Sequence, residues 1–197
     1  MTMEKNSAIV GIAALIVGVG IGYMAWGNNP SGQFGSHMMQ DGSMMSQNID
    51  QHFIVQMIPH HEGAIEMAKV ALERSTRPEM LTLANDIIKA QEGEIADMRS
   101  WYQSWFGSAP TEGGMGRMHM DGMSGDTAVL ASVSVSEFDR EFIEQMIPHH
   151  EMAIMMAQML QASTQRVEMR ELADNIITSQ SREIDMMRSW LKAWYTE

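Results

Sequence analysis

The sequence Gln-Met-Ile-Pro-His-His-Glu occurs twice in the chain, at residues 56–62 and again at residues 145–151. In the first copy, Met57 precedes the adjacent pair His60 and His61 by three and four residues. Side chains at these spacings share one face of an α-helix. The motif therefore predicts a helical face that carries three side chains able to bind a metal ion, and its second copy predicts an equivalent face.

The sequence around the motif is also duplicated, since residues 53–106 align with residues 142–195 without a gap. In each repeat, apolar residues recur at alternating spacings of three and four in two segments, which is typical of amphipathic helices. In the first repeat a short break at residues 74–78 separates the helices, Asp50 is a suitable N-cap, and Gly107 is placed to end the second helix. A helical hairpin cannot bury its apolar face alone. The two repeats therefore predict an all-α four-helix bundle.

The N-terminus carries an apolar run at residues 8–26, about the length of one membrane span, which adds a predicted N-terminal hydrophobic helix. It predicts export to the periplasm or secretion, or anchoring in the membrane; no clear cleavage site decides between them. The predicted segments are a signal peptide or membrane anchor at 1–27, a Met-rich linker at 28–47, hairpin repeat 1 at 48–106, a Met/Gly-rich linker at 107–135 and hairpin repeat 2 at 136–197.

Methionine is the compositional outlier, with 23 residues, whereas cysteine is absent. Several of the methionines lie in the Gly-rich linkers, which have no core to fill, so these linkers are either weak metal sites or plain spacers. The net charge of −12 argues against nucleic acid as a partner. No nucleophile–base pair or phosphate-binding loop is visible, so we expect a protein that is not an enzyme.

The donor types indicate a soft monovalent ion. Thioether sulfur binds Cu(I), and Ag(I) similarly, better than it binds Mg, Ca, Mn or Zn. A di-iron bundle needs a Glu-x-x-His motif, which the sequence lacks. Pro59 and Pro148 each fall inside a predicted helix beside the histidines, which favours a shaped site over ordinary core histidines. Glu94 and Glu183 border the buried faces, so an oxygen-rich site remains an alternative.

Further sulfur atoms lie along the same helices and on their partners. Met152, Met155 and Met159 would enlarge a thioether patch in the second repeat, but rank below the histidine pairs. The candidate metal ligands are Met57, His60, His61, Met67, Met98, Met146, His149, His150, Met156 and Met187.

Three motifs give the sequence a family resemblance: Met-x-x-His-His, the Ala-x-x-Met-Ala that follows it, and an Ile-x-x-Met-x-x-Trp near each repeat's end. Together they resemble the secreted domain-of-unknown-function family 305, over roughly residues 48–106 and 136–196. The resemblance implies a ferritin-like helical bundle that binds Cu(I) in the periplasm or outside the cell and contributes to copper resistance. The ligands that it implies are Met57, His60, His61, Met146, His149 and His150.

The leading hypothesis is therefore a Cu(I)-binding protein, also able to bind Ag(I), that buffers copper or delivers it to a copper efflux system. Two alternatives remain open: a metal-dependent oxidase of the ferritin-like type, and a bundle whose Met-rich face binds a partner helix.

Overall fold

The computed structural model describes residues 40–111 and 127–195, with the side chains of the first helix described from residue 49 onward. Within these ranges the chain is all-α. The helices are α1 (Gln40–Arg74), α2 (Pro78–Phe106), α3 (Thr127–Ser132), α4 (Val135–Ser163) and α5 (Val167–Tyr195). The predicted four-helix bundle is confirmed: α1 packs on α2, α4 packs on α5, and α1 also packs against α4.

The ends of the helices follow local sequence signals. Pro78 occupies the first turn of α2, where its missing N–H costs no hydrogen bond. Gly107 ends α2 in the left-handed conformation, with φ 71°, and its N–H donates to the carbonyl of Gln103 at 3.1 Å. These two residues separate and close the first hairpin where the sequence predicts.

The prediction that Asp50 caps the first helix is wrong, because α1 already begins at Gln40 and Asp50 lies within it. The carboxylate is buried and forms an ion pair with Arg166, with 3.3 Å between Oδ2 and Nε. Burial raises the pKa of the Asp50 carboxyl, while Thr164 and Arg166 act against this increase. An acidic residue near a predicted helix start thus has a tertiary role and not a capping one.

The segment predicted as a Met/Gly-rich linker contains a short helix, α3. Leu130 of α3 is fully buried in the core, which gives this part of the segment an apolar anchor. The Arg74 guanidinium donates hydrogen bonds to the carbonyl of Ala131, in the last turn of α3, and to that of Val133, which directly follows the helix. The local sequence pattern did not reveal this helix because tertiary contacts hold it.

The core consists of two apolar clusters, one in each half of the bundle. The first apolar cluster includes Phe53, Ile54, Met57, Ile58, Met98, Ala153, Ala157, Leu160 and Leu172. The second apolar cluster includes Ala64, Met67, Leu83, Leu130, Phe142, Met146, Ile184 and Met187. Each cluster combines residues from the earlier part of one repeat's first helix with residues from the later part of the other repeat's first helix. Helices α1 and α4 therefore run antiparallel, and the two repeats share one core.

Two equivalent arginine contacts join the repeats at the hairpin turns. Arg77 forms an ion pair with Asp139 of α4 at 3.1 Å, and its guanidinium lies 4.3 Å from the ring centroid of Trp194. Arg166 contacts Asp50 at 3.3 Å and lies 4.0 Å from the centroid of Trp105. Each turn therefore ties its own hairpin to the opposite repeat through charge and cation–π contact.

These matched contacts give a stability prediction. We expect Arg166→Ala to destabilise the protein by about 3 kcal/mol, because it leaves the carboxylate of Asp50 buried without its counter-ion. We expect Arg77→Ala to cost less, since the Asp139 side chain is 11% exposed while that of Asp50 is 1% exposed. Urea unfolding of both variants measures the difference. Equal losses, or no loss in Arg166→Ala, would contradict this account of the two ion pairs.

No helix in the described ranges is both long enough and apolar enough to cross a bilayer. The apolar run at residues 8–26 and the segment at 1–27 lie outside the described residues, as do residues 28–39 and 112–126 of the two predicted linkers.

Candidate metal centre

A layer of polar side chains crosses the middle of the bundle, between the two apolar clusters. On α1, His60 and His61 lie between Ile58 of the first cluster and Ala64 of the second. The other three long helices contribute residues at matching positions between their own cluster members. We call this set the polar layer; its members are His60, His61, Gln91, Glu94, His149, His150, Gln180 and Glu183.

His60 and His149 meet at the centre of the polar layer, where α1 packs against α4. Their ring centroids are 3.7 Å apart with the planes tilted by 40°, and the two residues are 1% and 5% exposed. Neither ring nitrogen of either residue has a well-formed hydrogen bond. Buried polar atoms without partners cost about 1–3 kcal/mol each, so the fold maintains an expensive arrangement here.

The electrostatic environment keeps these two imidazoles neutral. Burial, together with the neighbouring rings of His61 and His150, lowers the pKa of His60 to about 3, and a backbone contact with His149 acts in the opposite direction. Burial likewise holds the pKa of His149 well below its usual range. A neutral imidazole is the form that binds metal ions. Near neutral pH the layer therefore offers nitrogen lone pairs without first having to lose protons.

The outer two histidines have carboxylate partners on the second helix of their own hairpin. Nε2 of His61 donates to Glu94 at 2.6 Å, and Nε2 of His150 donates to Glu183 at 2.7 Å. Because a carboxylate only accepts, Nε2 is the nitrogen that carries the proton in the neutral form of each ring, and in that form Nδ1 carries the lone pair. Nδ1 of both rings has no partner. A carboxylate that orients the far side of an imidazole is the usual outer shell of a metal-binding histidine.

The glutamates within the repeated motif lie outside this arrangement. Glu62 forms an ion pair with Arg99 at 2.8 Å, and Glu151 forms one with Arg188 at 2.6 Å, with all four side chains exposed. They lie on the flank of the bundle and provide matched exposed counterparts to Glu94 and Glu183.

The predicted sulfur ligands are divided between the two apolar clusters. Met57 and Met98 lie fully buried in the first, and Met146 and Met187 lie fully buried in the second. Met67 is in the second cluster and the partly buried Met156 packs against the first, so each joins the methionines of the opposite repeat. Which sulfur atoms bind an ion beside the imidazoles stays a prediction.

Sequence reasoning assigned no role in the site to two features of the polar layer. Gln91 and Gln180 are 2% and 3% exposed, and their side-chain carbonyl oxygens have no hydrogen-bond partner. The sequence signal that could have revealed them is a glutamine at corresponding positions on the buried faces of both repeats. The contact of His60 with His149 was also missed, because it depends on how the two hairpins pack. Pro59 and Pro148 lie inside α1 and α4, as predicted.

Among the described side chains, at residues 49–111 and 127–195, no three His, Asp or Glu residues form a ready-made metal site. The thioethers of the flanking clusters supply the donor type in which the sequence is rich.

The fold and the polar layer define a class: a four-helix protein made of two hairpin repeats, with a pair of buried neutral histidines in contact at its centre. The chain belongs to the family described as domain of unknown function DUF305, whose model matches residues 50–195. This confirms the family resemblance inferred from the sequence motifs.

The chain is also similar to solved structures of this class. The structure of CopM in its Cu(I)-bound form is 47% identical, with a TM-score of 0.66, over 75% of this chain and 98% of that one. CopM has also been solved in Cu(II)-bound, Ag-bound and apo forms. A DUF305 fragment from Deinococcus radiodurans is 29% identical, with a TM-score of 0.66, over 74% of this chain and 96% of that one.

A shorter match involves the uncharacterized protein L153 of Acanthamoeba polyphaga mimivirus. It is 43% identical over 51 residues, which is 26% of this chain and 34% of the viral protein. The chain thus spans about a third of that relative.

Proposed function

We propose that this protein binds Cu(I), and Ag(I) similarly, at the polar layer, and that it buffers reduced copper or delivers it to an efflux system. The observation that carries the proposal is the contact between His60 and His149, two buried neutral imidazoles whose nitrogens lack hydrogen-bond partners. A bound ion would supply the partners that these atoms lack.

The donor chemistry supports a monovalent soft ion. Neutral imidazole and thioether add no negative charge, which suits Cu(I) and Ag(I) in a buried site better than hard divalent ions. The proposed ligands are Met57, His60 and His61 of the first repeat and their counterparts Met146, His149 and His150 of the second. The Cu(I)-bound and Ag-bound forms of CopM, at 47% and 46% identity, support carrying these two ions to this chain.

The proposed location is the periplasm or the outside of the cell, with contribution to copper resistance as the outcome. The apolar run at residues 8–26 supports export or membrane anchoring. A net charge of −12 gives a surface that attracts cations. We propose a binding role without catalysis, since Cu(I) storage requires ligands and no catalytic group.

One observation favours the alternative of a metal oxidase. Glu94 and Glu183 lie within 2.7 Å of imidazole nitrogens, so carboxylate oxygen is available in the polar layer. In the Cu(I) proposal these carboxylates orient the histidines; in an oxidase they would bind the metal themselves. The two roles differ in what happens when the carboxylates become amides.

The test is a competition titration of the full chain with Cu(I) against a chromophoric chelator. We expect the wild-type protein to compete with the chelator for Cu(I). We expect the double variant Glu94→Gln, Glu183→Gln to bind Cu(I) about 10- to 100-fold more weakly, which is the usual range for outer-shell partners. An amide can still accept the imidazole proton but carries no charge, so the loss should be partial. Complete loss of binding would favour direct carboxylate ligation instead.

The matched control is Glu62→Gln with Glu151→Gln. These residues follow the same histidines but form exposed ion pairs on the flank, so we expect unchanged Cu(I) affinity. If both double variants lose affinity equally, the effect reflects net charge and the proposed orientation of His61 and His150 by carboxylates is wrong.

A further inference from the structure

Helix α4 carries four methionines within two turns: Met152, Met155, Met156 and Met159. At 3.6 residues per turn, spacings of three, four and seven place all four within an arc of about 100° on the helix surface. The buried residues Ala153, Ala157 and Leu160 define the core side of α4, to one side of this arc. We call the four methionines the α4 thioether stripe.

The stripe runs from the core edge to solvent. Met152 and Met156 are partly buried, whereas Met155 is 48% and Met159 is 59% exposed. The other large hydrophobic residues exposed to this degree in the described ranges are valines. The neighbours of the stripe on this side of α4 include the polar Gln158 and the small Ala162.

The first repeat shows that the fold does not require this stripe. The corresponding positions of α1 are occupied by Gly63, Glu66, Met67 and Val70. Of these, only Met67 carries sulfur, and it is fully buried. The first hairpin thus packs with only one thioether on the corresponding face. The three additional methionines of α4 therefore need an explanation other than filling the core.

The stripe leads directly to the polar layer. Met152 follows His149 by three residues, so the two side chains are neighbours on the surface of α4. Both ring nitrogens of His149 lack hydrogen-bond partners. We propose that the α4 thioether stripe is a separate, solvent-facing binding site for Cu(I) or Ag(I), from which the ion passes to His149.

The chemistry of the stripe suits entry better than storage. Thioethers are neutral and need not lose a proton, so they can take up a soft cation over a wide pH range. Methionine side chains are unbranched and flexible, which lets three sulfurs from adjacent turns converge and then release the ion. Transfer is a ligand exchange in which an Ag–S or Cu–S bond breaks as a bond to nitrogen forms, with no change of oxidation state.

The site itself is tested with Ag(I) and the full chain carrying ¹³C-labelled methionine methyl groups. We expect the methyl signals of Met152, Met155 and Met159 to shift during titration. They should still shift in a variant with His60, His61, His149 and His150 changed to Gln, because the stripe does not need the imidazoles to bind. Unchanged stripe signals in the wild type, while Ag(I) binds elsewhere, would overturn the inference and leave the proposed function intact.

The route to the histidines rests on the proposed function and is tested by rate. The triple variant Met152→Leu, Met155→Leu, Met159→Leu keeps the apolar bulk and the helix propensity of the stripe. We expect it to bind one equivalent of Ag(I) fewer than the wild type at saturation. We also expect Ag(I) uptake by the imidazoles to slow by about tenfold, with their final affinity unchanged. Imidazole signals that shift at the wild-type rate would overturn the transfer step. Stripe binding without any imidazole binding would overturn the transfer step and the proposed function together.

A gain of function supplies the matched control. Glu66→Met with Val70→Met adds two thioethers beside Met67, at the positions in α1 that correspond to Met155 and Met159. We expect this variant to take up Ag(I) at α1, with new shifts in the added methyl groups. If the added methyl groups do not respond to Ag(I), thioether spacing on a helix surface is insufficient and the inference is wrong.

Discussion

Changing His60, His61, His149 and His150 together to Ala is expected to lower the Cu(I) affinity of the full chain by more than about 100-fold. Loss of outer-shell partners alone costs up to about that factor, and the four imidazoles are the proposed ligands themselves. The thioethers that remain would hold Cu(I) only weakly once the nitrogen donors are gone. Competition against a chromophoric Cu(I) chelator measures the change.

Two variants keep this experiment informative. His52→Ala removes an exposed imidazole outside the polar layer and should leave the affinity unchanged. Because four alanines leave space in the core, a second variant with four glutamines preserves side-chain volume and polarity, and circular dichroism checks that both remain helical. If either variant that lacks the four histidines is folded and keeps full Cu(I) affinity, the proposed role of the polar layer is contradicted.

The metal-free protein is expected to lose stability steeply in mild acid. The pKa of His60 is lowered from 6.5 to about 3, and that of His149 is also well below its usual value. Between these pH values the unfolded chain binds protons that the folded chain excludes, so the free energy of unfolding falls as pH falls. It is at its full value above pH 6.5 and declines progressively below it.

The expected loss is large relative to the stability of a domain. At 1.36 kcal/mol for each pKa unit, the shift of His60 alone amounts to roughly 5 kcal/mol by pH 3. Domains are typically stable by about 5–15 kcal/mol, so this chain should unfold well before pH 3. The raised pKa of Asp50 has the opposite effect on the free energy of unfolding, which it increases as the pH falls. This effect comes from a single carboxyl and is confined to the pH range in which carboxyls titrate. Urea unfolding at stepped pH in the presence of a metal chelator measures the slope.

The control for this prediction is His60→Asn with His149→Asn. Asparagine is polar and does not titrate, so its variant should show a much flatter dependence of stability on pH between 6.5 and 3. A wild-type protein whose stability stays constant across that range would show that the two central imidazoles are protonated, or accessible to water, in the folded state.

Periodicity and duplication predicted the helices because they are local properties. The break before Pro78 and the end at Gly107 follow from residues whose backbone preferences act within one turn. Asp50 misled because a capping residue and a buried ion-pair partner look alike in sequence, and only the position of Arg166 distinguishes them. Helix α3 was missed because Leu130 is held by residues distant in sequence.

The candidate site was predicted in part. Helical spacing correctly indicated that His60, His61, His149 and His150 face the interior, since all four are buried. It could not show that His60 contacts His149, because that contact depends on the antiparallel packing of α1 and α4. The carboxylate partners were visible only as Glu94 and Glu183 at the border of a buried face; their contact with the histidines comes from hairpin register.

The central claim is that Cu(I) binds to imidazole nitrogen and thioether sulfur within the polar layer. X-ray absorption spectroscopy of the full chain, loaded with less Cu(I) than its capacity, tests it most directly. The account predicts scattering from both nitrogen and sulfur, with the multiple-scattering pattern of imidazole, and loss of that pattern when the four histidines are changed to Gln. A copper environment of sulfur alone, or of oxygen without imidazole, would contradict it.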